Sequence, residues 1–168
     1  MLWLIGMMGS GKSTVGVEVA SRLGLDFVDT DLLVASVTDS SIADLWAAEG
    51  EHAFRRLENE MITSAASGEP VVVATGGGAV LDPGNIDLMR SSGLVIWLEA
   101  SPETLAARVG SDGSRPLVAD ADDPVQALAE LLESRRDQYV GAAHHRIPTD
   151  GRETDEIAEQ VIELWNRS

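Results

Sequence analysis

Eight residues near the start of the chain, Gly6-Met7-Met8-Gly9-Ser10-Gly11-Lys12-Ser13, constrain the fold more than any other segment. They match the Walker A pattern, and they stand where that pattern must stand, between the apolar run Leu2-Trp3-Leu4-Ile5 and an amphipathic stretch over 12–23. A chance match in a chain of this length has odds on the order of one in a hundred. Glycines let successive backbone N–H groups converge on phosphate oxygens, the following helix adds the positive end of its dipole, and the lysine ammonium offsets β- and γ-phosphate charge. Ser13 is the expected magnesium ligand. The segment therefore predicts a strand, a phosphate-binding loop and a helix in immediate succession.

The rest of the chain continues that alternation. Val71-Val72-Val73-Ala74 and Leu94-Val95-Ile96-Trp97-Leu98 are further continuous apolar runs, the mark of strands buried on both faces of a parallel sheet. Asp26-Phe27-Val28 and Arg146-Ile147-Pro148 are weaker strands of the same kind. Helical patterns separate them at about 31–37, 41–66, 84–92, 102–109, 124–139 and 153–166. Ser40 or Ser41 is suited to cap the third helix, Pro102 and Pro124 suit first helical turns, and Gly50 should break 41–66 into two pieces. Strand alternating with helix predicts an α/β fold with helices on both faces of the sheet. With 168 residues, no repeat and no linker, one domain spanning 1–168 is expected. The breaker-rich stretch from Gly110 to Asp123 reads as an exposed mobile loop within it.

Charge narrows the function. A net charge of −16 opposes a phosphate-backbone surface for nucleic acid. An acidic chain that binds anions must concentrate its cations, and Lys12 is the sole lysine. No apolar run reaches the roughly 18 residues a membrane span requires, and the opening apolar run passes straight into the glycine loop without the form of a secretory leader. Absence of cysteine fits a reducing compartment. A cytoplasmic protein with no membrane association is the expectation.

Three further groups carry chemistry. Asp29-Thr30-Asp31 follows the second strand at the carboxyl edge shared with the phosphate loop. One carboxylate can hold magnesium through water and the other can accept a hydrogen bond or proton from a substrate hydroxyl, although Asp here also suits a helix cap. In Phe54-Arg55-Arg56-Leu57-Glu58, Arg55 and Glu58 share a helix face with Glu51. That is either a solvated ion pair or a guanidinium fork held rigid for a substrate carboxylate. Thr75-Gly76-Gly77-Gly78 ends the third strand, as a flexible turn or as backbone that a ligand approaches closely.

Together with Arg115-Pro116-Leu117 and Arg135 four residues before Tyr139, these motifs resemble the shikimate kinase family, in order over nearly the whole chain. The resemblance implies a three-layer α/β/α P-loop kinase fold: a five-stranded parallel sheet, a mobile lid at about 110–123 and a helical substrate-binding segment at about 31–60. It implies transfer of the ATP γ-phosphoryl group to the 3-hydroxyl of shikimate, giving shikimate 3-phosphate and ADP in aromatic amino-acid (chorismate) biosynthesis, with Mg2+ as cofactor. Implied nucleotide contacts are Gly9, Ser10, Gly11, Lys12, Ser13 and Thr14, with Arg108 and Arg152 near adenine and Arg115 on the transferring phosphate. Asp31, Arg55, Gly76, Gly77, Gly78 and Arg135 would bind shikimate, the two arginines gripping its carboxylate. Ser13 and Asp29 would hold magnesium, Lys12, Asp31 and Arg115 would be catalytic, and the monomer would be the working unit.

Three features depart from or fall outside that pattern. Asp112, Asp120, Asp122 and Asp123 make the lid and its exit acidic, which would repel ATP at close range. Trp46 and Phe54 suit either the substrate pocket or amphipathic packing, and His144 and His145 have no metal-ligand spacing.

Overall fold

In the computed structural model of the chain, residues 1–109 and 121–168 are described. The five strands are β1 (Leu2–Ile5), β2 (Asp26–Asp29), β3 (Val71–Ala74), β4 (Leu94–Glu99) and β5 (His145–Pro148), all parallel, in the order β2-β3-β1-β4-β5. The helices are α1 (Lys12–Leu23), α2 (Thr30–Thr38), α3 (Ile42–Ala66), α4 (Pro83–Ser92), α5 (Pro102–Val109), α6 (Pro124–Ala142) and α7 (Thr154–Trp165). A short 3₁₀ turn, Ala79–Leu81, stands between β3 and α4.

Strand periodicity divides the core. Trp3, Ile5, Val73, Val95 and Trp97 point to one face and pack with Ile62 of α3, Met89 of α4, Leu105 of α5 and Leu128 and Leu132 of α6. Their neighbours Leu2, Leu4, Val72, Ile96 and Leu98 point the other way, onto Val15 and Val19 of α1 and Ile157 and Val161 of α7. Both faces are covered, so β1, β3 and β4 read as unbroken apolar runs. The edge strands β2 and β5 bury far less, which explains their weaker sequence signal.

Helix boundaries follow local chemistry. Ser41, rather than Ser40, caps α3 by accepting from the Asp44 N–H, and Asp82 caps α4 by accepting from Gly84. Gly50 (φ 82°, ψ 173°) interrupts α3 where a break was expected. Helix α6 runs beyond the expected residue 139 to Ala142; Arg90 donates to the carbonyls of Gly141, Ala142 and Ala143, satisfying acceptors a helix end leaves open. Asp123 caps α6 through the Val125 and Gln126 N–H groups, so the acidic residue at the lid exit serves a helix start. The remainder of the expected lid, residues 110–120 with Arg115, Asp112 and Asp120, lies outside the described residues. No helix among the described residues is long and apolar enough to cross a membrane.

Candidate active site

Parallel strands bring their carboxyl ends to one edge of the sheet, and the loops after β1, β2 and β3 meet there around a cavity of about 360 Å³. Four cations, Lys12, Arg55, Arg108 and Arg135, line it against three carboxylates, Asp29, Asp31 and Glu58. In a chain of net charge −16, this concentrates positive charge where an anion would enter.

At one end lies the phosphate loop. Gly9 and Gly11 adopt φ of 77° and 93°, the left-handed region that side-chain-bearing residues avoid, and this curls the loop back over the start of α1. Gly11 stands at the cap position, where no side chain bonds the helix start, and the first turn has no acidic residue. Its N–H groups and the positive end of the helix are thereby directed at the cavity. Lys12, 8% exposed, donates from Nζ to the Met7 carbonyl at 2.8 Å and to Ser10 Oγ at 3.5 Å, folding over the loop it belongs to. Gly9, Gly11, Lys12, Ser13 and Thr14 all line the cavity; Ser10 is fully buried beneath it, its N–H bonded to the Met7 carbonyl.

Asp29 performs the cap weighed for it and also meets the phosphate loop. Its Oδ1 accepts from the Asp31 and Leu32 N–H groups and caps α2, while Oδ2 accepts from Ser13 Oγ at 2.6 Å. A hydroxyl and a carboxylate so close, beside a phosphate loop, are hard oxygen donors of the kind magnesium takes when nucleotide phosphates complete its shell, so the residues present fit that ion. Asp31, two residues on, lines the cavity toward Gly76. Thr30 between them is buried and accepts from the Gly76 N–H at 3.0 Å, tying the β2–α2 corner to the glycine turn.

The other end is built from side chains. Arg55 donates to Glu58 Oε2 at 2.7 Å and to Glu51 Oε1 at 3.2 and 3.3 Å, and it lies over the rings of Phe54 and Trp46 at 5.2 and 5.7 Å. The fork is therefore fixed, not loosely solvated. Glu58 is 1% exposed and, among the described residues, its Oε1 has no hydrogen-bond partner. Burial raises its pKa above the ordinary glutamate range, and the charge and hydrogen bond of Arg55 oppose that rise without cancelling it. Phe54 belongs to a small cluster with Val34 and Leu45, and with Trp46 it also lines the cavity, so packing and pocket lining coincide.

Gly76, Gly77 and Gly78 face this end. A Cβ on Gly78 would collide with the Arg55 guanidinium, and one on Gly76 with Glu58 Oε1, so these glycines make room for the charged groups. Arg135 of α6, 4% exposed, donates to the Gly77 carbonyl at 3.1 Å, and Tyr139 one turn later donates to the same oxygen at 2.6 Å. At the far rim Arg108 donates to the Gly9 carbonyl and to Thr149 through Oγ1 and the carbonyl. Arg152 is not brought to the cavity wall. It bonds the Pro148 and Glu156 carbonyls and Gln160 Oε1, bracing the turn between β5 and α7.

Thr30, Tyr139 and Thr149 received no role from sequence. Each works through a contact distant in the chain, and the Asp29-Thr30-Asp31 and Arg135–Tyr139 spacings were the signals available.

Comparison with known proteins identifies the family and the fold. The shikimate kinase family model matches residues 8–166. A shikimate kinase of Symbiobacterium thermophilum is 48% identical over 162 residues, covering 95% of this chain and 92% of that one. Among solved structures, shikimate kinase from Acinetobacter baumannii in complex with shikimate superposes with a TM-score of 0.93 at 33% identity, over 97% of this chain and 90% of that one. A gluconokinase from Sinorhizobium meliloti, 21% identical with a TM-score of 0.62 over 99% of this chain and 91% of that one, shares the fold. With a family model matching residues 8–166 and a relative 48% identical over nearly the full length of both chains, the chain belongs to the shikimate kinase family.

Proposed function

We propose that the chain transfers the γ-phosphoryl group of ATP to the 3-hydroxyl of shikimate, releasing ADP and shikimate 3-phosphate, as one step toward chorismate and the aromatic amino acids. The observation that carries this reading is that one cavity holds both a phosphate loop and the Arg55–Arg135 pair. A small acceptor with a carboxylate and ring hydroxyls suits that pairing of ends.

Arg55 and Arg135 take the carboxylate, with Glu58 and Glu51 holding Arg55 in position. Gly76, Gly77 and Gly78 bring backbone against the ring, and Asp31 accepts the hydrogen bond of the attacking hydroxyl. As that oxygen forms its bond to Pγ and the bond from Pγ to the β-bridging oxygen breaks, Asp31 receives the hydroxyl proton. Lys12 and the loop residues Gly9, Ser10, Gly11, Ser13 and Thr14 hold the phosphates, and Arg115 adds charge at the transferring group. Arg108 closes the nucleotide side of the cavity beside Gly9, and Arg152 supports it indirectly through the β5–α7 turn. Magnesium, when bound, would supply positive charge that offsets the charge of the phosphates. Ser13 would hold it directly and Asp29 through water. Residues 1–168 form one catalytic unit in this reading, with a substrate segment at 31–60 and a lid at 110–123, working as a cytoplasmic monomer where ATP is supplied.

The test is product identity. Incubation with ATP, magnesium and shikimate should give one phosphorylated shikimate per ADP by mass spectrometry, with the phosphate on the 3-oxygen by NMR. Phosphate on another acceptor, or ADP with free phosphate alone, would contradict the assignment.

A further inference from the structure

Tyr139 lies behind the cavity and not in its wall, yet its hydroxyl bonds to the wall. The ring is fully buried and stacks on Trp97, centroids 5.3 Å apart and planes 11° from parallel. Its hydroxyl donates to the Gly77 carbonyl at 2.6 Å, where Arg135 also donates at 3.1 Å. A carbonyl oxygen has two lone pairs, so both bonds coexist. Burial pushes the phenol pKa above its ordinary value, so the hydroxyl is a donor at neutral pH.

The bond sets an orientation. The peptide joining Gly77 to Gly78 is trans and planar, so with its carbonyl drawn toward α6 its N–H points the opposite way, away from Tyr139. Without a Cβ on either residue, only hydrogen bonds hold that plane. The flanking carbonyls are already engaged, Gly76 by the Ala79 N–H and Gly78 by the Leu81 N–H. Arg135 alone is a poor anchor, because the same guanidinium is the one that takes a substrate carboxylate.

We propose that Tyr139 is a positioning residue for the phosphoryl acceptor: its hydroxyl fixes the Gly77–Gly78 peptide so that the Gly78 N–H faces an acceptor oxygen while Arg135 turns to the carboxylate. The inference rests on the shikimate kinase reading of the cavity.

Tyr139→Phe removes the hydroxyl and keeps the ring stack. Steady-state kinetics should show the shikimate KM raised about tenfold, with the ATP KM and kcat within about twofold of wild type. Trp97→Phe gives the opposite separation: it thins the stack but leaves the hydroxyl bond, so the melting temperature should fall while the shikimate KM stays within about twofold. An unchanged shikimate KM in Tyr139→Phe overturns the inference. So does an equal rise in both KM values, or a Trp97→Phe protein that reproduces the tenfold change, since either would assign the effect to packing. Wild-type protein that does not turn over shikimate would overturn the underlying reading and this inference together; wild-type activity with an unchanged Tyr139→Phe overturns the inference alone.

Discussion

The two ends of the cavity present positive charge by different means. The phosphate end is made of backbone: a loop of N–H groups at the start of α1, shaped by left-handed Gly9 and Gly11, with Lys12 folded over it. The opposite end is made of side chains from separate elements: Arg55 and Glu58 on α3, Arg135 on α6 and the glycine turn after β3. Backbone dipoles carry no titratable group and suit a ligand defined by repeated phosphates. Forked guanidiniums give the geometric match that one carboxylate on one ring requires. The side-chain end relies on buried charge, and the buried Glu58 is where the cost of burying charge appears.

Substitutions at either end should therefore separate. The largest effect is expected for Arg55→Ala, which removes a held charge and leaves Glu58 buried without its partner: roughly 2 to 5 kcal/mol of shikimate affinity, with ATP binding nearly intact by calorimetry. Equal loss at both ends would break the comparison. Lys12→Met acts at the other end and should lower kcat by about 10² to 10³ while shikimate binding persists, measured by turnover beside direct titration. Gly78→Ala is smaller: the new Cβ displaces the tip of Arg55, and the shikimate KM should rise about tenfold with the ATP KM steady.

The smallest effect is one of pH. A carboxyl whose folded pKa lies above its unfolded value contributes stability that is complete below the unfolded value and is lost as pH rises through the folded one. For Glu58 that window opens near 4.5 and extends upward. Thermal melts of wild type and Glu58→Gln should thus diverge in favour of wild type as pH falls from 7 toward 5. The opposite trend would mean that Arg55 outweighs burial at this site.

Legibility in the sequence follows the same division. The phosphate loop occupies consecutive residues between two elements of clear periodicity, so it could be read whole. Arg55 with Glu58 was legible as a pair because three residues on a helix share a face, but whether that face met solvent or a cavity depended on what packs beside it. The bonds from Thr30 to Gly76, Arg108 to Thr149 and Tyr139 to Gly77 span 46, 41 and 62 residues. They depend on the order β2-β3-β1-β4-β5, which periodicity does not encode. Arg152 differs again: its position near adenine was implied by resemblance, and the contacts that place it on the β5–α7 turn, to Pro148 and Gln160, are set by packing that its sequence neighbours do not announce.

The most direct measurement is magnesium-dependent ADP release by the purified protein with shikimate, gluconate, a nucleoside monophosphate or no acceptor in parallel. The side-chain end should admit only the carboxylate-bearing ring, so release should require shikimate. Release that is as fast with another acceptor, or with none, would contradict the claim that the two ends of this cavity are matched to ATP and shikimate.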